Sequence, residues 1–184
     1  LGDGSGADSG SHLTDFGKEV VVEMNKLGMI VDISHLNPMG FWDVMDISKD
    51  PVLATHSNCK ALCSHHRNLD DDQIKAMAEK GGVINLSFCA GFIKDGVGFG
   101  NPETLKKVTI LDWLDHLDHA VELVGTKHVG IGSDLDGGCG FPGLDDITKF
   151  PDLTQGMVYR GYSDQDIGKI LGGNNMRVFK KILT

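Results

Sequence analysis

Two short stretches, Asp32-Ile33-Ser34-His35 and Ala54-Thr55-His56-Ser57, each carry an apolar run into a histidine. Met29-Ile30-Val31 precedes the first and Val52-Leu53-Ala54 the second, with a segment of helix length between them. The pattern reads strand, helix, strand, with an imidazole at each strand tip. In parallel α/β folds that edge houses the chemistry. Adjacent strands lie roughly 4.8 Å apart, so two such imidazoles can converge on one metal ion. Val129-Gly130-Ile131-Gly132-Ser133 runs into Asp134 by the same rule. Zinc suits imidazole and carboxylate donors and keeps a position open for water. It lowers the pKa of that water towards about 7, and a carboxylate that takes the proton completes a hydrolytic site. Asp134 is the candidate base. Arg67, within Ser64-His65-His66-Arg67-Asn68, follows the His56 strand onto the same edge. Its fork of donors is what a substrate carboxylate requires. His65 and His66 are expected to line the loop, and Asp136 to be a loop group.

These side chains need a scaffold of regular elements. Thr14 or Asp15 starts a helix carrying Val20, Val21, Met24 and Leu27 at helical spacing, and Gly28 stops it. A buried strand, 29–32, should follow. Asn37-Pro38 opens a helix with Phe41, Val44 and Met45 on one face, closed by Pro51. The second strand is 52–55, and a polar loop with a helical turn covers 57–68. A helix at 70–80, a strand at 83–88, a glycine-rich loop at 91–101 and a long helix at about 103–124 come next. The fourth strand is 128–133, residues 134–152 read as irregular, and helices at 163–171 and 174–183 finish the chain. Asp112, Asp115, His116 and His119 resemble a metal cluster, but helical phase assigns them mainly to an outer, solvated face. Cys59 and Cys63 read as one face of a helix. The opening 1–12 is a Gly-, Ser- and Asp-rich loop or linker, so the chain is expected to come from something longer.

Four strand–helix units imply an α/β fold with a parallel sheet, about half of the (β/α)8 TIM-type barrel, whose full form takes about 250 residues. The 184 residues form a single domain fragment. A doubly wound nucleotide-binding sheet is disfavoured, because no glycine-rich phosphate loop follows a strand. The net charge of −9 argues against a nucleic-acid partner. No apolar run is long enough for a membrane span. Without a secretory leader or lipid-anchor tail in the sequence, a cytoplasmic setting is expected.

Taken with Leu13-Thr14-Asp15-Phe16-Gly17, Glu23-Met24-Asn25-Lys26-Leu27-Gly28, Gly132-Ser133-Asp134-Leu135-Asp136-Gly137 and Asn174-Asn175-Met176-Arg177-Val178-Phe179, these motifs resemble the membrane (renal-type) dipeptidases, zinc-dependent amidohydrolase-like barrels. The resemblance covers nearly the entire chain and implies the barrel's C-terminal half, strands five to eight. It implies a two-zinc site that hydrolyses dipeptides, including those with a D- or dehydro-residue at the C-terminal position. His35 and His56 would bind the second zinc, Arg67 would hold the dipeptide carboxylate, and Asp134 would handle protons of the bridging water and leaving amine. The family's His-x-Asp pair, bridging Glu and substrate-binding His all precede the region matching Leu1. The N-terminal half of the barrel is therefore the expected partner, with a homodimer through open edges as a further one. The alternative is a catalytically incomplete remnant that binds a metal or a partner.

Overall fold

A computed structural model describes residues 1–7, 9–98 and 100–183. Asp8, Phe99 and Thr184, which fall in the expected opening loop, glycine-rich loop and closing helix, lie outside the described residues. Helix α1 spans Asp15–Lys26, with Thr14 as N-cap accepting the Gly17 N–H at 3.0 Å. The chain turns away through Gly28 at φ +67°, a conformation that favours glycine. The expected strand at 29–32 is much reduced. Met29 is exposed, and parallel pairing is confined to Leu53 N–H donating to the Val31 carbonyl and Ile33 N–H to the Leu53 carbonyl. The cause is local: the Asp32 carboxylate accepts the Ser34 N–H at 3.1 Å, an Asx turn that bends the chain out of extension.

Helix α2, Pro38–Ile47, starts with proline in its first turn and Asn37 accepting the Gly40 N–H; Phe41, Val44 and Met45 are buried. Strand β1 is Leu53–Ala54, helix α3 is Asp71–Glu79 behind an Asp70/Gln73 capping box, and strand β2 is Val83–Leu86, buried throughout. Short helices α4 (Ala90–Ile93) and α5 (Pro102–Leu105) lead to α6 (Ile110–Val124) and strand β3 (Val129–Ile131). The strands are parallel in the order β1-β2-β3, Leu53 opposite Val83 and Ile84 opposite Val129, with residues 31–33 beside β1. Consecutive parallel neighbours joined through helices make an α/β fold of successive strand–helix units.

Further expectations fail for identifiable reasons. The long helix at 103–124 is broken, because Thr109 and Asp112 form a capping box inside the periodic run and restart it at Ile110. The irregular stretch expected at 134–152 ends early, because helix α7 (Phe150–Tyr159) begins inside it. Pro151 lies in its first turn, where a missing N–H costs nothing. Arg160 then forks onto Asp115 (2.7 Å) and Asp118 (2.6 Å) of α6, and the Tyr162 hydroxyl also donates to Asp118. Helix α8 (Asp164–Gly168) and helix α9 (Asn174–Ile182) are separated by a kink at Gly172 (φ 163°, ψ −17°), where the break between two helices was expected. Helix α9 clamps the sheet from below. Asn174 donates to the Thr126 and Val129 carbonyls, and Arg177 donates to the Gly81 and Lys127 carbonyls ahead of β2 and β3.

His116 also departs from expectation, being buried and not on a solvated face. The loop 57–69 is not helical at Cys59 and Cys63; it doubles back through a bridge between Cys59 and Leu69 and covers α6. The His116 ring accepts the Cys59 N–H at Nδ1 (3.1 Å) and donates from Nε2 to the Ile93 carbonyl (3.0 Å). Burial lowers its pKa below the ordinary value. Asp115 does face outwards, and His119 pairs with Asp71 at 2.8 Å.

His116→Ala strands a backbone donor and a backbone acceptor, so we expect a loss of about 2–4 kcal/mol in urea unfolding. The native ring resists protonation and the unfolded ring does not. Its contribution is therefore complete above the unfolded pKa of 6.5 and declines as pH falls below it, towards the lowered native value. The difference in stability between wild type and variant should shrink over that acid range.

Candidate active site

The tips of the first two strand segments meet at the Asp32 carboxylate. Its Oδ1 accepts N–H groups from Ser34 (3.1 Å) and, across the sheet, from Thr55 (3.0 Å). Buried Ser34 reaches back, its Oγ accepting the His56 N–H at 2.9 Å. These cross-links put His35 and His56 at one height. Their Nε2 atoms lie 2.9 Å apart, with ring centroids at 5.0 Å. Thr55 Oγ1 lies 2.7 Å from both Asp32 Oδ2 and His56 Nδ1. Burial lowers the His35 pKa, and the charges of Arg67 and His56 lower it further, against the raising effect of Asp32 and Asp134. A neutral imidazole is the form a metal ion binds.

Arg67 is held over the same edge by the loop after β1. Its Nε donates to the Ser34 carbonyl at 3.1 Å, and its guanidinium carbon sits 5.2 Å from the Phe92 ring centroid. Its Nη2 is buried and has no hydrogen-bond partner among the described residues. The loop is pinned by Asn68, which donates to the Cys63 and Phe92 carbonyls, and by Asn58, which ties it to both the N–H and the carbonyl of Ser87. Burial lowers the Arg67 pKa, while Asp134 leads the groups that oppose the shift. His65 stacks between His66 and Phe92 and lines the loop.

Asp134 follows β3 with φ +58°, a left-handed conformation that aspartate tolerates better than most residues. Its carbonyl accepts N–H groups from Gly137 and Cys139, and its Oδ2 accepts the Cys139 thiol at 3.3 Å. A Cβ on Gly137 would collide with Asp134 Oδ1, so the Asp-x-x-Gly spacing is a packing requirement. Asp136 is exposed in this turn. The Cys139 thiol is pushed up by its hydrogen bonding to Cys89, then by burial and by its interactions with Cys89 and Asp134.

All four singled-out residues, His35, His56, Arg67 and Asp134, lie at or beyond the C-terminal tips of the strands. Asp32, Ser34 and Thr55 carried no assigned role in the sequence reading. Their signal was a polar residue directly before each histidine, Ser34 and Thr55, with Asp32 three positions before His35. Among the described residues, no three or more His, Cys, Asp or Glu side chains converge closely enough to hold a metal ion. The histidine pair therefore stands as two donors. Also among the described residues, no helix is long and apolar enough to cross a membrane.

Residues 2–184 match the profile of the membrane dipeptidase family, peptidase family M19. The chain is 36% identical over 167 residues to the dipeptidase aclJ of Aspergillus oryzae, covering 90% of this chain and 38% of that protein. It is 37% identical over 171 residues to an uncharacterized dipeptidase of Schizosaccharomyces pombe, covering 92% and 39%. The fold superposes with a TM-score of 0.87, at 34% identity, on a metallo peptidase from Rhodobacter sphaeroides liganded with a phosphinate mimic of L-Ala-D-Ala. That match covers 95% of this chain and 48% of the other. The chain thus spans less than half the length of these relatives.

The two tips meet under a steric condition at Gly132. A Cβ there would collide with the Thr55 carbonyl and lie 2.9 Å from Asn85 Cβ. Gly132→Ala should therefore separate β3 from β1 and cost at least about 3 kcal/mol, read from the midpoint of urea unfolding.

Proposed function

The chain belongs to the membrane dipeptidase family, and from that premise we propose that it contributes part of the active site of a zinc-dependent dipeptidase. The observation that carries the reading is the facing Nε2 pair of His35 and His56 beside an unpartnered buried Nη2 of Arg67. Two nitrogens on one tetrahedral zinc lie about 3.3 Å apart, given bonds of roughly 2.0–2.1 Å. The observed 2.9 Å needs only a few tenths of an ångström of adjustment. The residues fit a metal ion, with His35 and His56 as its donors on this chain. The other zinc, the first, and the remaining donors are assigned to the part of the relatives that this chain does not span. On this reading the chain is a single fragment supplying strands five to eight of an eight-stranded barrel. The four free thiols suit a cytoplasmic setting.

When bound, the metal would polarise the scissile carbonyl and a water molecule. Arg67 orients the substrate: its free Nη2 donates to the C-terminal carboxylate while Nε stays on the Ser34 carbonyl, so the grip is anchored to the same turn that carries His35. Asp134 accepts the proton of the attacking water on its carboxylate and returns it to the leaving amine. Cys139, which donates to Oδ2, holds the carboxylate in place between these events.

In the complete protein, His35→Ala or His56→Ala should remove one zinc equivalent by elemental analysis, since a zinc site rarely survives on one imidazole. Arg67→Lys should raise KM by roughly 10–100-fold with kcat little changed, because an ammonium cannot replace the fork. Asp134→Asn should depress kcat by about 10²–10⁴-fold with metal retained. Retention of both zinc ions in either histidine variant, or failure of Arg67→Lys and Asp134→Asn in the same kinetic parameter, would overturn the assignments.

A further inference from the structure

We propose that Asp32 and Thr55 are positioning residues that set the tautomer of His56, through the chain Asp32 carboxylate, Thr55 hydroxyl, His56 Nδ1. The inference rests on the reading of His56 as a metal ligand through Nε2. Thr55 Oγ1 has one proton and two close partners, Asp32 Oδ2 and His56 Nδ1, both at 2.7 Å. A carboxylate oxygen only accepts, so the hydroxyl proton goes to Asp32. The hydroxyl oxygen is left to accept, and His56 Nδ1 must carry the hydrogen that it accepts. The proton-free nitrogen is then Nε2, the atom facing His35 Nε2. The ring is delivered in its ligating form before any ion arrives.

The orientation of the carboxylate makes this testable with one atom. Asp32 Oδ1 accepts two backbone N–H groups, from Ser34 at 3.1 Å and Thr55 at 3.0 Å. An asparagine at position 32 must keep its carbonyl oxygen there, because a flipped amide would point N–H at N–H. Its NH2 group then faces Thr55 Oγ1 and donates. The Thr55 hydroxyl becomes the donor to His56 Nδ1, and the hydrogen of the ring moves to Nε2. Asp32→Asn thus preserves the backbone ties and inverts the tautomer. Thr55→Val removes the relay while keeping the branched shape, and Thr55→Ser restores the hydroxyl.

The experiment compares wild type with Asp32→Asn, Thr55→Val, Thr55→Ser and His56→Ala in the complete protein. Zinc affinity is read by chelator competition, and the metal-free His56 tautomer by ring nitrogen-15 shifts. Asp32→Asn and Thr55→Val should weaken the histidine-held zinc by about 10–100-fold, and Asp32→Asn should show hydrogen on Nε2. Thr55→Ser should bind zinc as wild type does. Wild-type affinity and tautomer in Asp32→Asn, with zinc lost in His56→Ala, would overturn the relay and leave the ligand assignment standing. Equal loss in Thr55→Val and Thr55→Ser would trace the effect to packing and overturn the relay. Full zinc binding in His56→Ala would overturn the ligand assignment and the relay together. Should Asp32→Asn fail to fold, the valine–serine pair at position 55 decides.

Discussion

The bond from the Thr55 N–H to Asp32 Oδ1 fixes the site more than any other single contact. Residues 31–33 join β1 through only two ladder bonds, too few to define a register against the pull of a turn. The carboxylate adds a third tie at the very tip, and its second N–H, from Ser34, bends the chain so that His35 leaves the sheet towards His56. Ser34 then spends both its oxygens on neighbours: Oγ on the His56 N–H and the carbonyl on Arg67 Nε. One side chain thereby determines the height of two imidazoles and the anchor of a guanidinium. A sheet with longer strands would distribute that burden over its ladder.

Much of this arrangement was legible in the sequence. Apolar runs ending in His35, His56 and Asp134 located the strand tips, and caps such as Asn37-Pro38 and Thr14 located helix starts to within a residue. What escaped was decided by packing or by short-range polar chemistry. Phase on α6 placed His116 outside, but the outside of a helix is a solvated face only if nothing lies over it, and the loop 57–69 does. Thr109 and Asp112 lay inside an apolar period that favoured one long helix, and their mutual capping outweighed it. Pro151 counted as a loop signal although first-turn proline is compatible with a helix. The roles of Asp32, Thr55 and Cys139 depend on which atoms meet, and linear spacing carries no such information.

The loop after β1 shows how a polar segment becomes a rigid one. Asn58, Asn68 and Ser87 are buried and meet each other's backbone groups, so no water is needed to satisfy them. Cys59 and Cys63 fill the remaining space as small apolar groups, and burial pushes their thiols up to about 12 and about 11, far from reactivity at neutral pH. The polar residues that made this stretch read as a surface loop are the ones that hold Arg67 still.

The clamp from α9 bears on how the polypeptide acquires its shape. Arg177 holds the Gly81 carbonyl 96 residues earlier, and Asn175 holds Asn85 across 90. During synthesis the chain emerges from its N-terminal side, so β1, β2 and β3 leave the ribosome before the helix that secures their lower ends. Contacts of such separation close late and slowly, because the loop entropy must be met before they return anything. Until α9 arrives, Leu53 and Val83 lack the apolar cover that Val178 and Ile182 give them. Nascent chains stalled ahead of Asn174 are thus the species most in need of a chaperone.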